Sequence, residues 1–139
     1  MPELPEVETT LRGIAPSLDG RTVVKIVVRN PSLRWPVPDT VHRAAKSRVG
    51  ECRRRAKYLL LGLQGTGGGL LIHLGMSGSL RICRKDTPAE KHDHIDFVMS
   101  NQKVLRLRDP RKFGCVLWTD KPLGEHKLIK SLGPEPLED

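Results

Sequence analysis

No apolar run in the chain approaches the ~20 residues that a membrane-spanning helix requires, and no basic stretch followed by an apolar one marks a signal peptide. A soluble, cytoplasmic protein is the expectation. The three cysteines, Cys52, Cys83 and Cys115, are odd in number and far apart. That excludes a disulfide framework and leaves no C-x-x-C pair for a structural zinc, so all three read as reduced, packed thiols. Internal repeats and low-complexity segments are absent as well. Negative charge is in deficit: 16 Asp and Glu face 24 Lys and Arg, a net charge of +8. Such a balance favours a polyanionic partner, nucleic acid first and an anionic membrane second.

At 139 residues the chain is one domain's worth, long enough to bury roughly two thirds of its unfolded surface. Leu4, Val7, Leu11 and Ile14 recur at intervals of three and four, which predicts an amphipathic helix from Pro2 to Leu18 with Pro5 tolerated in its first turn. Behind the Asp19-Gly20 turn, Arg21 to Arg29 is rich in β-branched residues and reads as a strand. Short β-like runs follow at Tyr58–Leu63, Leu70–Leu74, Ser79–Cys83, Ile95–Met99, Val104–Leu107 and Cys115–Trp118, separated by Gly- and Ser-rich turns. Val41 to Ser47 and Gly124 to Leu132 read as short helices, the second stopped by Gly133 and Pro134. The expected fold is therefore mainly β with flanking helices: a two-layer β-sandwich or flattened barrel with an N-terminal α-helix. Residues 1–132 form the domain, and 133–139 read as the start of a linker.

Several residues carry candidate chemistry. If Met1 is trimmed, Pro2 presents a secondary amine with a pKa near or below about 7.7 to 8.0, far easier to deprotonate than a lysine. Attack of that amine on a sugar C1′ yields an iminium, an electron sink that acidifies the C2′ hydrogen. Glu3 stands next to it as proton donor or acceptor. Glu3, Glu6 and Thr10 share a helical stripe, where helix-dipole compensation is the competing explanation. For Pro2 alone, the competing explanation is an ordinary second residue.

Arg53-Arg54-Arg55 and Lys57 precede an apolar strand and can clamp phosphate, or simply form a solvated run guarding a strand edge. Asp109 to Gly114 lies between two β-like runs, so Arg111, Lys112 and Phe113 form a basic, aromatic tip. An aromatic there can wedge between stacked bases, or fold back into the core. Met76, on the Gly-flanked turn Gly75 to Gly78, is open to the same two readings. His92, His94 and Asp96 invite a metal hypothesis that lacks a third well-spaced ligand, so a phosphate contact is preferred for His92.

Four segments together carry a resemblance that none carries alone: MPELPEVE at 1–8, RRAKYLL at 54–60, HLGMSGS at 73–79 and DPRKFG at 109–114. In that order they strongly resemble the bacterial formamidopyrimidine-DNA glycosylase, or 8-oxoguanine DNA glycosylase, family. The resemblance runs nearly from end to end. It implies a bifunctional glycosylase and lyase that excises oxidised purines from damaged double-stranded DNA and cleaves the abasic strand by β,δ-elimination. It implies that Pro2 is the Schiff-base nucleophile, Glu3 the general acid/base and Lys57 a second proton donor. Met76, Arg111 and Phe113 match the residues that fill the void left by the everted nucleotide; His92 and Arg111 match DNA-contacting positions, and Glu6 a supporting one. Lys112 stands where an Arg is more usual, keeping charge but losing bidentate geometry.

The family continues into a helix-two-turns-helix region and a zinc finger. No cofactor is expected in this chain, and one zinc is expected in that further half. The resemblance implies a monomer acting in the bacterial cytoplasm, weakly active as this half alone. Two alternatives stand beside it: a non-catalytic DNA-binding β-domain, and an endonuclease VIII-like glycosylase for oxidised pyrimidines.

Overall fold

The computed structural model describes residues 4–65, 68–123 and 126. Helix α1 (Leu4–Leu18) buries the stripe that its spacing anticipates: Val7, Ile14 and Leu18 are buried and Leu11 is half-buried. It stops at Gly20, whose φ of 77° is the left-handed conformation that ends helices at little cost only in glycine. The Gly20 N–H then donates to Val49 O at 2.8 Å, tying the helix end to a sheet.

Among the described residues eight antiparallel strands form two four-stranded sheets. The first has the order β1 (Val23–Val28), β6 (Asp93–Met99), β7 (Lys103–Arg108), β5 (Ser79–Arg84). The second runs β2 (Val49–Arg55), β3 (Tyr58–Leu63), β4 (Gly69–His73), β8 (Cys115–Thr119). The sheets stay open, so of the two architectures expected from the sequence the sandwich is the one found. Among the described residues an isolated backbone bridge, Thr22 with Arg48, links the segments leading into β1 and β2, and the side chains of one core fill the space between the sheets.

Period-two alternation explains why β3 is apolar throughout. Leu59, Leu61 and Leu63 point into the main core with Ile26, Ile95, Phe97 and Leu107, while Leu60 joins Leu71 and Leu123 on the outer face. Cys52, Cys83 and Cys115 are free. Burial pushes the Cys52 thiol up, and the Cys115 thiol up to about 11, as packed, protonated groups should behave.

The Arg53–Arg55 run precedes the apolar strand β3 as expected, and it also lies inside a strand of its own, β2, an edge strand whose charged residues mask it. One sequence expectation needs correction. The expected helix at Val41–Ser47 is a 3-10 helix at Asp39–Ala44, because β1 claims the backbone beyond it. Lys46 N donates to Val23 O, and Val23 N to Ser47 O. The helix expected over 124–132 falls outside the described residues except for His126. No described helix is long and apolar enough to cross a membrane.

The first sheet holds a buried ionic network. Arg106, 1% exposed, donates from Nε to Asp96 Oδ1 at 2.9 Å and from Nη2 to Oδ2 at 3.0 Å. Arg29 adds a bond to Oδ2 at 2.6 Å. Burial raises the Asp96 carboxyl pKa, but the bonds from Arg29 and Arg106 outweigh it and hold the group below its ordinary range. Its stabilisation is therefore present above the unfolded value of about 3.9 and is lost as pH falls through the lower folded value. Asp96→Ala, which strands a buried guanidinium, should cost about 3–5 kcal/mol in urea unfolding. It should also flatten the acid limb of stability below about pH 4; an unchanged acid limb would refute the assignment.

Candidate nucleic-acid interface

At one end of the sandwich two loops pack backbone against backbone. One, residues 74–78, joins β4 to β5; the other, residues 109–114, joins β7 to β8. Gly75 has φ 62°, and a Cβ on it would lie 2.5 Å from Phe113 C and 2.6 Å from Gly114 N. Only glycine admits that approach.

Asp109, fully buried, holds the two loops together. Its Oδ1 accepts from Ser77 Oγ at 2.8 Å and from Lys112 N at 3.1 Å, and its Oδ2 from Gly114 N at 2.8 Å. Ser77 Oγ in turn accepts from Arg111 N at 3.0 Å. On the backbone side, Asp109 N donates to His92 O at 3.0 Å, and the buried His94 donates from Nε2 to Asp109 O at 2.9 Å. Lys112 accepts a left-handed φ of 59° to complete the turn.

With the loop backbones committed inward, three side chains project. Met76 is 45% and Phe113 46% exposed, and Arg111 Nη1 lies 4.0 Å from Met76 Sδ. Neither apolar side chain folds back into the core, the ordinary alternative for both. Among the described residues no carboxylate pairs with Arg111 or Lys112. His92, half-buried with φ 75°, sits just before β6 rather than within it, so its ring and that of His94 do not alternate on one strand. Their centroids are 6.1 Å apart, edge to face. Desolvation and the charges of Lys91, Arg108, His94 and Lys112 lower the His92 pKa. No group of three or more His, Cys, Asp or Glu converges among the described residues.

A second cluster adjoins the first. Ala56 and Lys57 form the two-residue turn between β2 and β3, with Ala56 in the left-handed region at φ 53°, a conformation this type of hairpin normally gives to Gly or Asn. Arg54 Nη1 steadies the turn by donating to Ala56 O at 3.0 Å, and its Nε lies 3.5 Å from Glu8 of α1. That pair ties helix to hairpin by charge rather than by a hydrogen bond between those two atoms. Beyond the turn, Tyr58 faces His73 edge-on at 4.9 Å. His73 Nδ1 accepts from Gly75 N at 2.9 Å. Burial, then Arg34 and Lys57, hold the His73 imidazole below its ordinary pKa. Contacts thus run from Tyr58, next to Lys57, through His73 and Gly75 to Phe113.

Of the residues singled out from the sequence, Met76, Arg111, Phe113 and His92 share one rim, with Lys57 linked to it. Glu6 is exposed on α1. Pro2 and Glu3 lie outside the described residues. Sequence reasoning quoted Asp109 and Ser77 within motifs without assigning them a role. The signal was there: an acid and a hydroxyl, each in a Gly-flanked turn that needs internal acceptors.

Residues 1–116 match the family described as formamidopyrimidine-DNA glycosylase N-terminal domain. The chain is 55% identical over 139 residues to a formamidopyrimidine-DNA glycosylase of Shewanella denitrificans, covering all of this chain and 51% of that protein. It is 58% identical over 139 residues to that of Cronobacter sakazakii, again covering 51% of the relative. The chain spans about half the length of these curated relatives. Among solved structures, the Lactococcus lactis enzyme bound non-covalently to DNA containing an AP site superposes with TM-score 0.76 at 30% identity, over 84% of this chain and 45% of that one. MutM in complex with DNA containing carbocyclic 8-oxo-G gives TM-score 0.76 at 32% identity, over 85% of this chain and 44% of that one.

Asp109→Asn places an amide against N–H donors. It should cost about 1–3 kcal/mol, the penalty of an unsatisfied buried group. Ser77→Ala, which removes one bridging hydroxyl, should cost about 1 kcal/mol. Urea unfolding of the two variants checks the order; equal, negligible losses would show that the loops are held by something else.

Proposed function

The chain belongs to the formamidopyrimidine-DNA glycosylase family through its N-terminal domain, and on that footing we propose that it carries the nucleophile and wedge of a bifunctional DNA glycosylase and AP lyase acting on oxidised purines. The observation that carries this is the Asp109-braced pair of loops, which holds Met76, Arg111 and Phe113 outward on a basic rim. A wedge must be rigid before DNA arrives, because pushing into a base stack costs a few kcal/mol that a floppy loop would not transmit.

In this reading the neutral Pro2 amine attacks C1′ of the everted nucleotide. The C1′–N bond breaks, the base leaves with the electron pair, and Glu3 supplies the proton that opens the sugar ring to an iminium. Loss of the C2′ proton then expels the 3′ phosphate, and a second elimination expels the 5′ phosphate. Lys57, on its strained turn and tied to α1 through Arg54 and Glu8, supplies a proton or positive charge during elimination. His92 and Arg111 take phosphate contacts, and Glu6 supports the damaged nucleotide. The protein acts as a monomer in the bacterial cytoplasm. The zinc site belongs to the half that this chain does not span.

Borohydride reduction in the presence of duplex containing an abasic site should join protein and DNA through the reduced iminium. Peptide mapping should place the adduct on Pro2. An adduct on a lysine, or none with a chain that also binds abasic duplex, would overturn the nucleophile. Lys57→Ala should slow strand cleavage by about 100-fold, the lower end of acid-base contributions, while leaving trapping intact.

His92 offers an independent check by NMR titration. Free, it should titrate below the ordinary value of about 6.5; bound to duplex, a neighbouring phosphate should stabilise the imidazolium and raise it. A pKa that DNA leaves unmoved excludes the contact.

A further inference from the structure

Four large apolar side chains stand exposed among the described residues: Val24, Trp35, Met76 and Phe113. Met76 and Phe113 belong to the wedge. Val24 lies at the end of β1 where Val23 pairs with Met99, away from the wedge end where Val28 pairs with Ile95. Trp35, 38% exposed, is on the wedge side.

Its position follows from the loop between β1 and the 3-10 helix. Arg29 N and Asn30 N both donate to His94 O, the residue that also holds Asp109. Asn30 Oδ1 accepts from Ser32 N at 3.0 Å, Ser32 bridges Pro36, and Val37 N donates to Pro31 O at 2.8 Å. Leu33 and Val37 are buried, so the loop is pinned on both sides of its tip. The tip is Arg34-Trp35. Arg34 N donates to Gly114 O at 3.1 Å, the residue beside Phe113, and the Arg34 guanidinium stands 5.4 Å over the Trp35 ring.

A single exposed aromatic is ordinary on a protein surface. An indole held outward by a pinned loop, layered with an arginine and bonded to the wedge loop, is not placed by chance packing. We propose that Arg34 and Trp35 form a second DNA contact on the flank of the wedge, the guanidinium on a backbone phosphate and the indole against the sugar and base face of the adjacent nucleotide. This rests on the DNA-binding reading above and extends its surface. The chemistry fits a duplex whose stack is interrupted: π-faces and phosphates are the two features every such site offers, whatever its sequence.

The chain has two tryptophans, Trp35 and Trp118, and Trp118 packs half-buried against the core beneath Arg43. Binding of a fluorescein-labelled duplex carrying an abasic analogue, followed by anisotropy and by tryptophan emission together, therefore isolates the contact. Emission should be quenched in step with the anisotropy rise in the wild type and unchanged in Trp35→Phe. Trp35→Ala and Arg34→Ala should each weaken binding by roughly tenfold, and Arg34→Ala should lower the salt slope by about one. Val24→Ala, a surface control, should stay within about twofold. Duplex bound with wild-type emission unchanged, or with Trp35→Ala at wild-type affinity, overturns the flank contact and leaves the DNA-binding reading standing. No anisotropy rise with the wild type overturns both.

Discussion

The buried Asp109 carboxylate is the constraint on which the two-loop rim of this molecule depends. A charge taken out of water must be met by donors, and here they come from two loops more than thirty residues apart: Ser77 on one side, the backbone of Lys112 and Gly114 on the other. The desolvation penalty of the aspartate thereby becomes a geometric specification. The arrangement that satisfies it leaves Met76, Arg111 and Phe113 facing solvent. Gly75 and Gly114 follow from the same requirement, since a Cβ at either would collide with the facing backbone.

Around that centre the fold repeats one device, a buried acid met by two arginines. Asp96 receives Arg29 and Arg106, and Asp93 receives Arg81 and Arg108. These pairs tie β1, β5, β6 and β7 into one sheet beneath the rim. They also spend carboxylates inside the protein, so the rim cations Arg111 and Lys112 meet no carboxylate among the described residues. A cation in that state keeps its charge available to an anion, whereas a neutralised arginine has little left to offer one.

How much of this was legible in the sequence depends on the range of the interaction involved. Helix α1 was, because Val7, Leu11 and Ile14 repeat locally. The apolar strands β3 and β4 were as well. Strand β2 was not: Glu51, Arg53, Arg54 and Arg55 on an edge strand overwrite the apolar alternation that reveals a strand. The helix expected from Val41 failed for a different reason, since the β1 backbone captures Lys46 and Ser47 from far away in sequence. Phe113 and Met76 were legible as candidates, but their outward direction was not. That direction is set by hydrogen bonds spanning 32 residues between Ser77 and Asp109, which no local pattern encodes.

The Lys57 turn shows the complementary route to precision. Where Asp109 fixes its loops by satisfying a buried charge, Ala56 is held in a left-handed conformation that an alanine does not choose by itself, and such strain persists only where surrounding contacts over-determine it. Those contacts are identifiable: the β2–β3 ladder on both sides, the Arg54 bond to Ala56 O, and the Arg54–Glu8 pair to α1. A glycine would relieve the strain and also widen the range of directions in which the next side chain can point. Alanine at this position costs some stability and narrows the backbone directions open to Lys57, on the same hairpin that pairs with the first helix. The helix, the lysine and the rim carrying Met76 and Phe113 are thus parts joined through polar links, and the fold itself sets the geometry among them.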